Sequence, residues 1–172
     1  MVDLFVYHFA ADSGTPGASG IRIVSVEEAT EKQRISRTVL EALPEWFGIP
    51  EAREQYIKES AEQPFFAALD AEKAIGFLCL KETGKETVEL SVLGVLKDYH
   101  GKGVGRKLFE RAKKATRNYG YSFMQVKTVQ MGRYPEYDAT NRFYRSLGFK
   151  EFEVFPTLWD ERNPCQIYVM SL

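Results

Sequence analysis

The stretch from Leu93 to Arg106 constrains this chain most. It reads as the end of a β-strand, then three alternating glycines in His100-Gly101-Lys102-Gly103-Val104-Gly105, then the start of a helix. Glycines let a backbone turn tightly and come close to a ligand. Their exposed N–H groups, with a helix dipole behind them, form an anion site. Lys102 and Arg106 add positive charge to it. Two other phosphate loops are excluded. The G-x-G-x-x-G dinucleotide fingerprint fails because its last position falls on Arg106 or on Leu108, depending on the register. No G-x-x-x-x-G-K-[ST] string occurs. From these residues alone, a glycine-rich turn that holds no ligand stays open as the second reading.

The remaining pattern supplies the elements around this loop. Ile21–Val26 suits a strand. Thr30 is the expected cap of a helix carrying Ile35, Val39, Leu40 and Leu43 up to Pro44. Trp46, Phe47 and Ile49 precede a second helix over Glu51–Ser60. Phe65–Leu69 and Ala74–Leu80 read as a hairpin, with a further turn at Thr83-Gly84-Lys85 and a long strand over Thr87–Val95. Val104, Leu108, Ala112, Ala115 and Tyr119 share one face of a helix over Val104–Asn118. A strand at Ser122–Val129, a short helix at Ala139–Leu147 closed by Gly148, and strands at Phe149–Phe155 and Gln166–Met170 complete the order. That order implies an α/β (α+β) fold with helices on a partly antiparallel sheet. Residues 1–20 read as an N-terminal extension or linker, with a strand-like run at Leu4–Phe9, and residues 21–172 as one compact domain.

Composition sets limits on function. The 23 basic and 24 acidic residues leave a net charge of −1. That balance gives no support to sequence-independent nucleic-acid binding, which needs a surplus of Lys and Arg. No apolar run reaches the length of about 18 residues that a membrane span needs. The N-terminus lacks the pattern of a secretory signal, so the expectation is a cytoplasmic protein with neither membrane nor nucleic acid as partner. Cys79 and Cys165 lie in apolar runs and are expected to be buried, inert thiols. His8 and His100 make no plausible metal pair, and no metal is expected.

Two motifs together resemble the GNAT acetyltransferase superfamily. The loop string His100-Gly101-Lys102-Gly103-Val104-Gly105 is similar to the family's Gln/Arg-x-x-Gly-x-Gly/Ala acetyl-CoA motif, with His100 replacing the usual first residue. Farther on, Asn141, Tyr144 and Gly148-Phe149 resemble the family's later signature. The resemblance covers roughly residues 21–172. It implies a mixed, mostly antiparallel sheet of six to seven strands flanked by about four helices and splayed at the acetyl-CoA site. It implies an acetyl-CoA-dependent N-acetyltransferase acting on a primary amine by direct attack in a ternary complex. The alternative is a catalytically idle acetyl-CoA-binding module.

The resemblance also distributes roles. Gly101–Arg106 would hold the pyrophosphate, and the backbone of Leu93 and Val95 would pair with the pantetheine amides, with Gly94 leaving room between them. Asn141 would reach coenzyme A. The Val95 amide would serve as oxyanion donor. Tyr144 would protonate the departing thiolate. Glu89 is the candidate base, and strict strand alternation puts it on one face with Ser91, Leu93 and Val95. The acceptor site falls to Glu41–Ile49, the Met131–Tyr137 loop and the Thr157–Pro164 loop. There Trp46, Phe47, Tyr134, Tyr137 and Trp159 lie beside Glu45, Glu136, Asp160 and Glu161, which would suit a cationic amine. The acceptor is a small molecule or a peptide, and the protein a monomer or homodimer.

Overall fold

The structure, a computed structural model, describes residues 20–172. The run Leu4–Phe9 and most of the expected linker lie outside the described residues. Seven strands form one sheet in the order β1-β2-β3-β4-β5-β7-β6. They are β1 (Ile21–Ser25), β2 (Phe65–Asp70), β3 (Lys73–Gly84), β4 (Thr87–Val95), β5 (Phe123–Val129), β6 (Lys150–Asp160) and β7 (Asn163–Ser171). The helices are α1 (Ala29–Glu41), α2 (Pro44–Phe47), α3 (Pro50–Ser60), α4 (Val104–Asn118) and α5 (Pro135–Ser146). Every neighbouring pair is antiparallel except β4 and β5.

Several local expectations change. The cap of α1 is Glu28, whose carboxylate accepts from the Thr30 and Glu31 N–H groups at 3.0 and 2.6 Å. Thr30 lies inside the helix, because a glutamate two residues earlier reaches the same orphan donors. The apolar knot at Trp46 and Phe47 is itself a short helix, started by Pro44. That makes five helices among the described residues, against about four expected. Thr157–Pro164 is no loop: β6 and β7 run through it as a hairpin turning at Glu161 and Arg162.

The two sheet faces carry separate cores. Val104, Leu108, Phe109 and Ala112 of α4, Tyr144 of α5 and Leu147 just after it cover one face, against Val88, Leu90, Met124 and Val126. Ile35, Val39 and Leu40 of α1 and Ile57 of α3 cover the other, against Phe65, Phe77 and Val92. The buried residues of β4 thus change sides between Leu90 and Val92. The cause is a β-bulge: Leu80 pairs with Leu90 and Cys79 with Val92, so Ser91 is passed over. An extra residue in one strand inverts the alternation beyond it and bends the strand.

The bulge coincides with a parting of strands. β4 pairs with β5 only from Thr87–Phe123 to Leu90–Val126, whereas it follows β3 as far as Val95. Beyond Val126, β5 continues with β7 alone. Ser91–Val95 therefore forms one edge of a gap in the sheet, which is the expected splay.

Candidate functional site

The gap's chemistry starts with backbone. The Leu96 N–H donates to Ile75 O at 2.8 Å. Successive residues of a strand alternate their hydrogen-bonding edge. Val95 and Leu93 therefore turn their N–H and C=O groups away from β3 and toward the gap. After the bulge their side chains pack against the α4 face. Gly94 points the other way, and its reason is packing: a side chain there would meet Val39 at 2.9 Å. The expected role of Gly94 in making room for a ligand gives way to the close approach of α1.

The glycine loop lies past the end of β4, after a 3₁₀ turn at Lys97–Tyr99. Gly101 and Gly103 have φ of +72° and +77°, a left-handed backbone that glycine adopts without strain. A side chain at either would touch no protein atom within 4 Å. Gly103 caps α4 with no side-chain acceptor, so the first amides of a 15-residue helix face outward. Lys102 stands exposed above the Tyr99 ring at 5.2 Å. These features fit a pyrophosphate.

Other loop residues behave differently. Gly105 belongs to packing, since a side chain there would meet the Phe143 ring at 3.0 Å. The Val104 side chain is buried, leaving only its amide for a ligand. Arg106 reaches from α4 to the end of α5, donating to the Ser146 O and Oγ at 3.3 and 3.2 Å. His100 folds back on β4: its Nε2 lies 2.7 Å from Val95 O. A carbonyl can only accept, so Nε2 carries the proton. The His100 ring also meets Trp46 edge-on at 5.8 Å.

Glu89 lies before the bulge, on the face opposite Leu93 and Val95. The expectation that they share a face fails because the passed-over Ser91 breaks strict alternation. The Glu89 side chain, only 12% exposed, accepts from Lys127 Nζ at 2.9 Å and from Gln125 Nε2 at 3.3 Å. Both donors come from β5, Gln125 from the rung of Glu89 itself and Lys127 from just past the last rung. Tyr56 of α3 stands close enough to feel this carboxylate: burial first, and then the charge of Glu89, raise its phenol above the ordinary tyrosine value. Tyr56, Gln125 and Lys127 escape sequence reasoning, since only the β4–β5 register and the packing of α3 bring them to Glu89.

Tyr144 is buried on the α4–α5 face between Phe143 and Phe149, with ring centroids 5.6 and 5.9 Å away. Burial raises its phenol, with smaller contributions from Tyr56 and Tyr137. Its hydroxyl thus keeps its proton at neutral pH. Asn141, one turn earlier, is fully buried. Its Nδ2 donates to Val129 O at 2.9 Å and to Tyr137 O at 2.7 Å, and its Oδ1 accepts from Tyr168 at 2.7 Å. Both donors are engaged within the protein, so Asn141 clamps α5 to β5 and β7 and has no donor left for coenzyme A.

The short helix α2 bridges the two sides of the site. Trp46 Nε1 donates to Thr140 Oγ1 at 3.2 Å, and the Tyr137 hydroxyl donates to Trp46 O at 2.9 Å. Glu45 pairs with Lys97 at the end of β4. Both cysteines are free and buried; burial raises both thiols, that of Cys165 to about 11. Among the described residues no helix is long and apolar enough to cross a membrane.

Comparison with known proteins agrees with this geometry. The acetyltransferase (GNAT) domain pattern matches residues 61–151, more than half of the chain. The chain belongs to the GNAT acetyltransferase family. Acetyl-CoA is the acetyl donor of this family. The fold is similar to a GNAT-family protein from Desulfovibrio desulfuricans, with a TM-score of 0.78 at 18% identity, covering 88% of this chain and 99% of that one. A GNAT acetyltransferase from Elizabethkingia anophelis, solved with acetyl-CoA bound, superposes with a TM-score of 0.69 at 17% identity over 90% of this chain and all of that one. The ribosomal-protein-S18-alanine N-acetyltransferase of Escherichia coli gives 0.69 at 19% identity, over 88% and 94% of the two chains. No curated protein matches the sequence significantly. In this GNAT protein both motif segments lie beside the β4–β5 gap: the glycine loop continues from β4, and α5 is clamped to β5.

Proposed function

We propose that this GNAT protein is an N-acetyltransferase that passes the acetyl group from acetyl-CoA directly to a primary amine, both being held at once. One observation carries the reading. The bulge at Ser91 and the end of β4–β5 pairing at Leu90 part the two strands, with the Leu93 and Val95 side chains turned to one face and that of Glu89 to the other.

Each residue then has a task. The amides of the Gly101–Val104 loop hold the pyrophosphate, supported by Lys102. The gap-facing N–H and C=O of Leu93 receive the pantetheine arm as a strand edge receives a peptide, since the Val95 C=O already accepts from His100. Acetyl-CoA supplies a thioester activated for attack. The Val95 N–H, aimed at the gap, stabilises negative charge that develops on the acetyl oxygen. Glu89, an acceptor held by Lys127 and Gln125, takes the proton from the amine on the opposite face. Tyr144, buried and protonated, hands its proton to the departing sulfur. His100 and Arg106 act as positioning residues, one bracing the end of β4 and the other tying α4 to α5.

A combined thermal-shift and thiol-release assay over a panel of amines tests the reading. The expected result is a rise in melting temperature with acetyl-CoA and amine-dependent thiol release. Stabilisation by acetyl-CoA with no release for any amine would show an idle binding module instead.

A further inference from the structure

Three loops meet at one end of the gap. β4 and β5 run parallel, so Val95 and Val129 finish at the same end of the sheet. The Gln130 N–H donates to Pro164 O at 2.9 Å, which fixes the loop after β5 against the β6–β7 hairpin. α2 is pinned to α5 by Trp46, Thr140 and Tyr137, and Ile49 follows two residues after it. Most of the large exposed apolar side chains gather on these three connections: Ile49 at 63%, Met131 at 37%, Tyr134 at 40%, Leu158 at 51% and Trp159 at 45% exposed. Leu158 and Trp159 are pushed out by an irregular ladder. The pairs Phe155–Cys165 and Asp160–Asn163 flank four residues of β6 against Pro164 alone. Such a bulge re-aims side chains. Grouped exposed apolar surface marks a binding site more often than scattered surface does.

The charges at this end do not favour a polycation. Glu45 is paired with Lys97, and Asp160 holds the Arg162 and Asn163 amides of its own turn at 2.8 and 3.0 Å. Glu136 and Glu161 each have an arginine close by in sequence, Arg133 and Arg162. The expected acceptor carboxylates thus lie among three bases, Lys97, Arg133 and Arg162, around an apolar rim. Deeper in, Glu89 offers one carboxylate for one amine, and its Lys127 is already engaged with it.

Resting on the proposed N-acetyl transfer, we infer that the acceptor is an amine with a single positive charge on an apolar or aromatic body. The amine reaches Glu89 while its body lies on Ile49, Met131, Tyr134, Leu158 and Trp159. Polyamines and aminoglycosides, whose other ammonium groups would meet apolar side chains and arginines on this rim, are poor acceptors.

Steady-state thiol release with the full chain and acetyl-CoA tests this, using 2-phenylethylamine and tryptamine against spermidine. The apolar monoamines should give a kcat/KM at least about tenfold above that of spermidine. A Leu158→Ala, Trp159→Ala double variant should raise KM for 2-phenylethylamine by about tenfold, leaving the melting temperature and its rise with acetyl-CoA unchanged. Both side chains are half exposed, so the fold does not depend on them. Spermidine turned over as well or better, or an unchanged KM in the double variant, would overturn the inference while leaving N-acetyl transfer intact. Absence of release with every amine, despite stabilisation by acetyl-CoA, would overturn the transfer reaction and this inference with it.

Discussion

Tyr144 packs its ring between Phe143 and Phe149. Tyr144→Phe keeps those ring contacts and removes only the hydroxyl proposed to protonate the thiolate. Turnover should fall by about 10²–10⁴-fold, with acetyl-CoA affinity and melting temperature nearly unchanged. Steady-state kinetics beside calorimetry will separate this from a packing role, which would move the melting temperature instead. Glu89→Gln should slow the reaction most near neutral pH, where an amine with pKa near 10.4 is almost wholly protonated. The deficit should shrink toward pH 10; a ratio that stays flat in a pH–rate profile would assign the base elsewhere. Tyr144 was legible in sequence because its motif fixes a helical position. The engagement of Asn141 was not, since its partners Val129 and Tyr168 lie 12 and 27 residues away on other strands.

At the scale of elements, β4 and α4 divide the work between them. The bounds of both, Thr87–Val95 and Val104–Asn118, follow from periodicity and glycine punctuation alone. The bulge at Ser91 carries no such signal: Val88-Glu89-Leu90-Ser91-Val92 alternates without a break in sequence. It arises in pairing with β3, so the side of the sheet that Glu89 faces could not be read locally. The glycines separate by geometry as well. Gly103→Ala forces a side chain into φ +77°, at about 1–3 kcal/mol, and distorts the amides that face the ligand. Calorimetry should show weakened acetyl-CoA binding in a folded protein. Gly105→Leu should mainly lower the melting temperature, because the new side chain runs into Phe143.

Across the whole molecule, burial raises the titration of Tyr144, Tyr137, Cys79 and Cys165 alike, to about 12 for Tyr137 and about 11 for Cys165. Each group is neutral when protonated, and the fold favours that form. Their stabilisation is complete below the unfolded values, about 8.5 for thiols and 10 for phenols, and is lost as pH rises through the folded ones. Melting temperature should therefore hold from pH 7 to about pH 8.5 and then decline, with the steepest loss above about pH 10 as the phenols begin to titrate.

In the proposed reaction the α4 loop and β4 edge would receive acetyl-CoA on one face, Glu89 would meet the amine on the other, and the gap would join the two. Initial rates over a matrix of acetyl-CoA and amine concentrations test that most directly. Direct transfer through the gap predicts double-reciprocal lines that intersect, because both substrates must be bound before either product leaves. Parallel lines, the mark of an acetylated protein intermediate, would contradict it.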